Sequence, residues 1–397
     1  MKLLLIPFLL IVWICLDLFF GLKRHRSKIT PMENTLYKQS NVQFFTQGDK
    51  WLDHLLQQTE KATDHIHMQF YIFRDDNIGK KLIHELKESA KKGVTVRLTV
   101  DWLAHSISRK EQKSLKKAGV QFEKLNAPSF PFLFYSINER NHRKIVVIDG
   151  KYGYVGGYNV GDEYLGRDPK KGRWRDYHMF LEGAGVADLQ QCFFADWNEA
   201  SGESVDFEKT LYLTSPEDTI PMRIFSTNGA HLEHIIDDVL EDAQFSVFIG
   251  TPYFIPGERL KNKLVSLAKR GVKIQILIPK YPDHPLVKDA AFPYMPELLD
   301  VGVEFRQFYE GFYHAKVVTV DERLMFIGTA NIDKRSFHIN KEINTVISDK
   351  DWIKPVKEEI EKDYYESAEP ITMNTINKRT LFERLKEKIA SAVSLYL

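Results

Sequence analysis

Two short stretches of this 397-residue chain combine residue types and spacing suited to one kind of chemistry. His142-Arg143-Lys144-Ile145-Val146-Val147-Ile148-Asp149 and His314-Ala315-Lys316-Val317-Val318-Thr319-Val320-Asp321 share the pattern His-x-Lys-x-x-x-x-Asp. On an extended strand, residues i and i+2 project from the same face, so each histidine and its lysine present together. The aspartate falls on the other parity, at the strand end, where Asp149-Gly150 reads as a turn. Asp149 and Asp321 complete the set of catalytic candidates with His142, Lys144, His314 and Lys316. Their expected part is mainly structural, holding the strand or the contact between halves. One such strand is ordinary; two copies at matching places in one chain point to catalysis.

Phosphodiester cleavage needs a nucleophile, an acid for the leaving alkoxide, and fixed positive charge around the non-bridging oxygens. Two histidines, one neutral and one protonated, provide the first two. Lys144 and Lys316 provide the third, helped by the turns that follow each strand, Gly156-Gly157-Tyr158-Asn159 and Gly328-Thr329-Ala330-Asn331. Glycine lets backbone N–H groups approach an anion and an asparagine amide can donate to it, so Gly157, Asn159, Thr329 and Asn331 are phosphate-binding candidates. Further on, Asp176 in Trp174-Arg175-Asp176 and Glu342 in Asn340-Lys341-Glu342 can each hold one imidazole nitrogen and leave the other for phosphorus. Attack by one histidine gives a phosphohistidine that an incoming hydroxyl resolves. No metal or other cofactor is expected, since no His, Asp or Glu cluster shows metal-ligand spacing.

The elements that must position these residues repeat. Helix-period stretches Ile78 to Lys92 and Arg259 to Arg270 each run into Gly-Val and a strand, at Gly93 and at Gly271. A second helical pattern and a second Gly-Val start follow, at Gly119 and Gly302, and then the His-x-Lys strand. Four landmarks in the same order twice indicate a duplicated α/β lobe, each an αβα sandwich with its sheet covered on both faces. The lobes are placed at 41–200 and 215–370, with motif regions 136–163 and 308–335, and a linker near Ser201 to Glu217. The halves differ in one place. Gly119 and His142 stand 23 positions apart, Gly302 and His314 only 12. The extra segment carries Pro128 to Tyr135, either a packed loop or an apolar rim that meets acyl chains.

Leu3 to Leu22 is almost continuously apolar, broken by Pro7 and Asp17, and at about 1.5 Å per residue can just cross a hydrocarbon core of roughly 30 Å. Lys23-Arg24-His25-Arg26-Ser27-Lys28 follows, so 1–28 reads as an uncleaved single-pass anchor in the cell membrane, with the catalytic portion cytoplasmic. Two cysteines, Cys15 and Cys192, make no disulfide framework. A net charge of +1 gives no global field for a polyanion, and no nucleic-acid partner is expected. The tail 371–397 ends in an amphipathic helix with Leu381, Leu385, Ile389 and Val393 on one face, read as a docking helix ahead of a membrane-surface helix.

The paired motifs resemble the phospholipase D superfamily, and the wider context resembles bacterial cardiolipin synthases. The similarity includes Asn141 to Lys144, Gly156 to Asn159, Trp174 to Asp176, Thr251 to Pro256, His314 to Lys316 and Gly328 to Ser336. The resemblance implies two αβα lobes with the site at their interface. It also implies condensation of two phosphatidylglycerol molecules into cardiolipin with release of glycerol. His142 would then be the nucleophile and His314 the acid and later the base, although the symmetry of the motifs also allows the reverse. Hydrolysis of phospholipids to phosphatidic acid uses the same site with water as acceptor. Other phosphodiesterases of the superfamily share the motif pair, and a catalytically silent lipid-binding scaffold is the reading from a different class. One departure is the single apolar span where family members often carry two.

Overall fold

Each Gly-Val strand start in the computed structural model has a glycine in the left-handed region: Gly93 and Gly119 at φ 96°, Gly271 at 91° and Gly302 at 90°. A residue with a Cβ is strained there, so glycine ends the helix and turns the chain directly into the strand. The structure describes residues 2–30, 32, 35–205 and 219–397, with side chains from residue 6. The expected linker near Ser201 to Glu217 lies mostly outside the described residues. Ahead of it, the helix Val186–Ser201 stops at Gly202, also left-handed. The first strand, Lys38–Phe45, begins slightly ahead of the expected start of the first lobe.

The two lobes share one strand order. In the first it runs Gln121–Leu125, Thr95–Asp101, His65–Phe70, Ile145–Ile148, Tyr152–Gly156, His178–Gly183, Lys38–Phe45. The second repeats it with Glu304–Phe308, Lys273–Pro279, Ser246–Gly250, Val317–Val320, Leu324–Gly328, Lys341–Ile347, Ile220–Asn228, plus Ala368–Ile371 at the outer edge. In each lobe the first three strands are parallel and the motif strand joins them antiparallel. The lobes are not separate sheets. Lys38 to Ser40 pair with Met222 to Ile220, which fuses both into a single 15-stranded sheet.

Every residue of the two motif strands, Ile145–Ile148 and Val317–Val320, is buried, as a sheet covered on both faces requires. On one face each lobe keeps its own core, under Gly48–Glu60 and Asn77–Lys91 in the first and Leu232–Glu241 and Gly257–Lys269 in the second. On the other face a single core runs under both lobes, with Phe193 and Trp197 of Val186–Ser201 in the same cluster as Ile353 and Ile360 of Lys350–Glu366. Each fully buried aliphatic side chain there is worth about 1.5–3 kcal/mol, so this shared layer resists separation of the lobes.

The two motif aspartates stand at the far ends of their strands, away from the histidines. Asp149 accepts N–H bonds from Asp64 (2.8 Å), Thr63 (2.9 Å) and His65 (3.0 Å). Asp321 accepts from Phe245 (2.8 Å) and Ser246 (2.9 Å). Both residues are left-handed, at φ 53° and 54°, and each tethers a turn to the start of the parallel strand beside the motif strand, His65–Phe70 in the first lobe and Ser246–Gly250 in the second. Asp149 and Asp321 are thus strand anchors, each within its own lobe and not between lobes.

The N-terminal helix, Lys2–Ser27, is long and apolar enough over Ile6–Ser27 to cross a membrane. Its second half is nevertheless committed to the body. Asp17 accepts the Tyr135 N–H (2.8 Å), Trp13 meets Phe134 edge-on at 5.0 Å, and Gly21 lies against the Tyr135 side chain. Asp17 thus caps the short helix Leu133–Asn138, which has no cap of its own. This explains an acid inside an apolar run. The C-terminal helix, Leu381–Val393, docks as expected but through the face with Ala390. Leu381, Leu385, Ile389 and Val393, expected to be its docked face, are exposed.

Asp149→Ala removes a carboxylate that holds three backbone donors, and we expect a loss of about 2 kcal/mol in urea unfolding of the detergent-solubilised chain. The donors, more than offsetting burial, hold its carboxyl below the usual range. The contribution is therefore present above the unfolded carboxyl pKa and fades as pH falls through the folded one. An unchanged urea midpoint at pH 7 would refute the anchoring role.

Candidate active site

His142 and His314 lie just ahead of their strands, on extended lead-ins that pair across the lobes. Gly311–Tyr313 of the second lobe runs parallel to Arg173–Arg175 of the first, and the His314 N–H donates to Arg175 O (2.7 Å). The reciprocal link is a bridge from Asn141 to Lys341, with the His142 N–H donating to Lys341 O (2.9 Å). These contacts fix the partner of each ring. His142 Nδ1 bonds Glu342 Oε2 and Oε1 at 3.0 and 3.1 Å, and His314 Nδ1 bonds Asp176 Oδ2 at 2.5 Å. Each histidine is held by the carboxylate of the other lobe. Both carboxylates are fully buried.

The lysines share the site. Lys144 Nζ donates to His142 O (2.7 Å) and Lys316 Nζ to His314 O, while Lys316 also stands 4.0 Å from Asp176. Tyr71 covers this end, its ring 4.9 Å from His142 and 5.4 Å from the Lys144 ammonium. Charges reach across the interface: Lys316 acts on His142, Glu342 on Lys144, and Asp176 on Lys316. Burial pushes Lys144 down to about 7 and Lys316 to about 8, with the carboxylates opposing it. Burial likewise pushes His142 down to about 4 and lowers His314. For Glu342, burial alone would raise the carboxyl, but His142, Lys144 and Thr329 more than offset it.

The turn residues divide. The Gly157 N–H is spent on Tyr177 O (2.8 Å) and the Thr329 N–H on Ile343 O (3.0 Å), so neither points at an anion as expected. Gly157 instead makes room for Asp176: a Cβ there would lie 1.9 Å from Oδ1. The Thr329 hydroxyl donates to Glu342 Oε2 (2.5 Å). Both positions serve the carboxylates. Asn159 Oδ1 accepts the Ile72 N–H (3.0 Å), which ties the turn to the segment carrying Tyr71. Asn331 bonds the Asp333 side chain, and its Oδ1 is buried without a partner among the described residues.

One buried network carries no sequence motif. Arg143, the variable residue of the first motif, donates to Asp196 (2.7 Å), Thr227 O (3.1 Å) and Glu342 O (3.2 Å). Asp196 also accepts from Gln69 (2.7 Å) and Asn141 (2.8 Å). The second motif has Ala315 at that position, and its side of the interface is braced instead by Arg175 on Asp363, which also takes the Tyr177 hydroxyl (3.1 Å). A lone Arg or Asp carries no spacing signal, so only the folded structure reveals these braces.

The chain matches a family model described as cardiolipin synthase, PLD-like domain, over residues 55–170 and 236–364. It is 38% identical over 386 residues to the minor cardiolipin synthase of Bacillus subtilis (strain 168), covering 97% of this chain and 96% of that one. The chain belongs to the cardiolipin synthase family. It is also 38% identical to a cardiolipin synthase of Oceanobacillus iheyensis, over 91% of this chain and 76% of that one. Among solved structures, a phosphatidylserine synthase of Haemophilus influenzae Rd KW20 shares the fold, with TM-score 0.72 at 15% identity over 95% of this chain and all of that one. A polyphosphate kinase of Porphyromonas gingivalis shares it at TM-score 0.58 and 11% identity, over 85% and 49%. In this member of the cardiolipin synthase family, the family model spans both His-x-Lys motifs and Glu342, and its first stretch ends six residues ahead of Asp176.

The charged groups predict a pH profile for kcat/KM, which reports the free enzyme. A lysine stabilises a phosphate only while protonated, so activity on a soluble short-chain substrate should fall above pH about 7 to 8 as Lys144 and Lys316 discharge. Thr329→Val frees Glu342 to bond His142 alone, which raises the imidazole pKa. The acid limb should move to higher pH with the alkaline limb in place. An alkaline limb absent up to pH 10, or an acid limb unmoved in the variant, would count against these roles.

Proposed function

We propose that this chain transfers a phosphatidyl group from one phosphatidylglycerol to a second, forming cardiolipin and glycerol through a phosphohistidine. The observation that carries this reading is the exchanged pair of histidine–carboxylate contacts with two lysines between them. In both rings Nδ1 is engaged, which leaves Nε2 for the substrate. His142 is the better nucleophile. Its carboxylate is shared with the Thr329 hydroxyl and its ring is pushed down to about 4, so it is neutral at pH 7. His314 faces Asp176 Oδ2 at 2.5 Å, an arrangement that favours imidazolium once a phosphodiester is bound.

In the first step the His142 Nε2 lone pair attacks phosphorus and the bond to the glycerol oxygen breaks. His314 gives its proton to that oxygen, and glycerol leaves. In the second step neutral His314 takes the proton of an acceptor hydroxyl, the new oxygen–phosphorus bond forms, and the phosphorus–nitrogen bond to His142 breaks. Lys144 and Lys316 stabilise the non-bridging oxygens throughout. Asn159 and Asn331 serve as further phosphate contacts. Substrate lipids come from the bilayer that the N-terminal helix engages, with the body on the cytoplasmic side as the basic flank Lys23 to Lys28 favours.

Two measurements test the reading. His142→Ala and His314→Ala should each lose at least about 10²–10⁴-fold in turnover. A nitrophenyl phosphodiester needs no acid to leave, so His314→Ala should still release nitrophenol in a burst and leave the phosphoryl group on the His142 peptide. A label on the His314 peptide of His142→Ala would reverse the roles. The parent chain on phosphatidylglycerol vesicles should yield cardiolipin and free glycerol, because a held hydroxyl reaches effective molarities of about 10⁵–10⁸ M against water at about 55 M. Phosphatidic acid as the main product would make the chain a hydrolase.

A further inference from the structure

The C-terminal helix Leu381–Val393 is fastened on one side and bare on the other. Thr380 and Glu383 cap its start reciprocally, Arg379 pairs with Asp289 at 2.6 Å, and the Arg379 guanidinium stacks 3.6 Å over the Phe292 ring. At the other end Lys334 bonds Ser394 (3.0 Å) and Arg335 bonds Tyr396 O (3.4 Å). The helix is therefore held in one place. On its free side Leu381 is 88% exposed, Phe382 66%, Leu385 55% and Ile389 50%. Apolar area of this extent, left in water, forfeits about 25 cal/mol per Å².

What covers it follows from its neighbours and its charges. Arg335 also bonds Asn138 O (3.0 Å), at the end of the short helix that Asp17 caps. Tyr396 lies beside Arg26 and Asp17 of the N-terminal helix. Phe130 of the extra segment and Phe19 and Phe20 of the apolar N-terminal helix are exposed as well. The two acids of the C-terminal helix are both occupied, Glu383 in the cap and Glu387 by Arg379 at 2.8 Å. Arg384, Lys386 and Lys388 form no ion pair among the described residues, so the charge presented outward is positive. A mobile protein partner or a second copy would have to match this face and the flanking apolar helix together; an anionic bilayer matches both.

We propose that the C-terminal helix is a second membrane contact, lying in the interface with Leu381, Phe382, Leu385 and Ile389 in the acyl layer and its basic residues among anionic headgroups. It acts with the N-terminal helix and the Phe130 segment as one surface. Arg335, which joins these elements, also acts on Tyr71 over His142, so the surface borders the site and lipids reach the histidines from the bilayer. The functional part of this inference rests on the proposed use of a bilayer lipid.

The test uses the full chain reconstituted in phosphatidylglycerol/phosphatidylcholine vesicles. A polarity-sensitive dye on Leu385→Cys, in a Cys15→Ser background, should shift to the blue and be quenched by lipids carrying brominated acyl chains. Leu381→Glu/Leu385→Glu/Ile389→Glu should lose at least tenfold in turnover of vesicle phosphatidylglycerol and keep turnover of monomeric short-chain substrate. A dye that stays open to aqueous iodide, or equal vesicle activity of the variant, overturns the proposal. So does a dye buried without lipid in a dimer that the triple variant dissociates. Phosphatidic acid from the parent chain would overturn the transfer reading alone, because the quenching does not depend on the product.

Discussion

The structure turns on two hydrogen-bonded pairs made by exchange, His142 with Glu342 and His314 with Asp176. Two carboxylates, two lysines and two histidines are buried together, and any one of them alone would be costly to keep charged. They are tolerable because each carboxylate faces a ring of the other lobe and a lysine stands within reach. Breaking one partner leaves an uncompensated buried charge, typically at about 3–5 kcal/mol. A lobe by itself would hold an acid without its histidine and a histidine without its acid. The chemistry and the association of the lobes are therefore one interaction.

The rest of the fold serves that exchange. The parallel pairing of Gly311–Tyr313 with Arg173–Arg175, and the Asn141 bridge to Lys341, set the register in which each ring meets its acid. A shift by one residue would turn the next side chain, Tyr177 or Ile343, to the ring in place of the acid. Arg143 on Glu342 O and Arg175 on Asp363 lock that register with charge-assisted bonds, and Asp149 and Asp321 fix the far ends of the motif strands.

Local signals were legible in the sequence and reciprocal ones were not. The four Gly-Val starts, the duplicated order and the residues of the site all come from short-range patterns, and each glycine does take the left-handed conformation its place demands. Which acid meets which histidine depends on a contact between residues 138 to 200 positions apart, and no spacing encodes it. The same limit hid the fusion into one sheet, since only Lys38 to Ser40 make that join. Gly157 and Thr329 stand where a phosphate cradle would, but in the folded chain they face the two carboxylates. A turn glycine that clears space for a carboxylate reads the same as one that clears space for a phosphate. The C-terminal helix shows the converse: its periodicity was plain, and only the packing of Ala390 revealed which face is bound.

A duplicated site has a difficulty of its own, because the reaction needs its two histidines to differ. The strand order is repeated and so is the exchange, so the difference must lie in single side chains. Gly157 and Thr329 hold equivalent places after their motif strands. Glycine offers Asp176 nothing but room, and Asp176 Oδ2 closes on His314 at 2.5 Å. Threonine adds a hydroxyl that bonds Glu342 Oε2 at 2.5 Å, and the same oxygen stands 3.0 Å from His142. A carboxylate that already accepts a hydroxyl proton is a weaker base toward its imidazole. His142 is left the less basic ring and His314 the more basic, which is the division of labour that the proposed roles of nucleophile and acid require. One hydroxyl, placed at one of two equivalent turns, is enough to give a symmetric scaffold a direction.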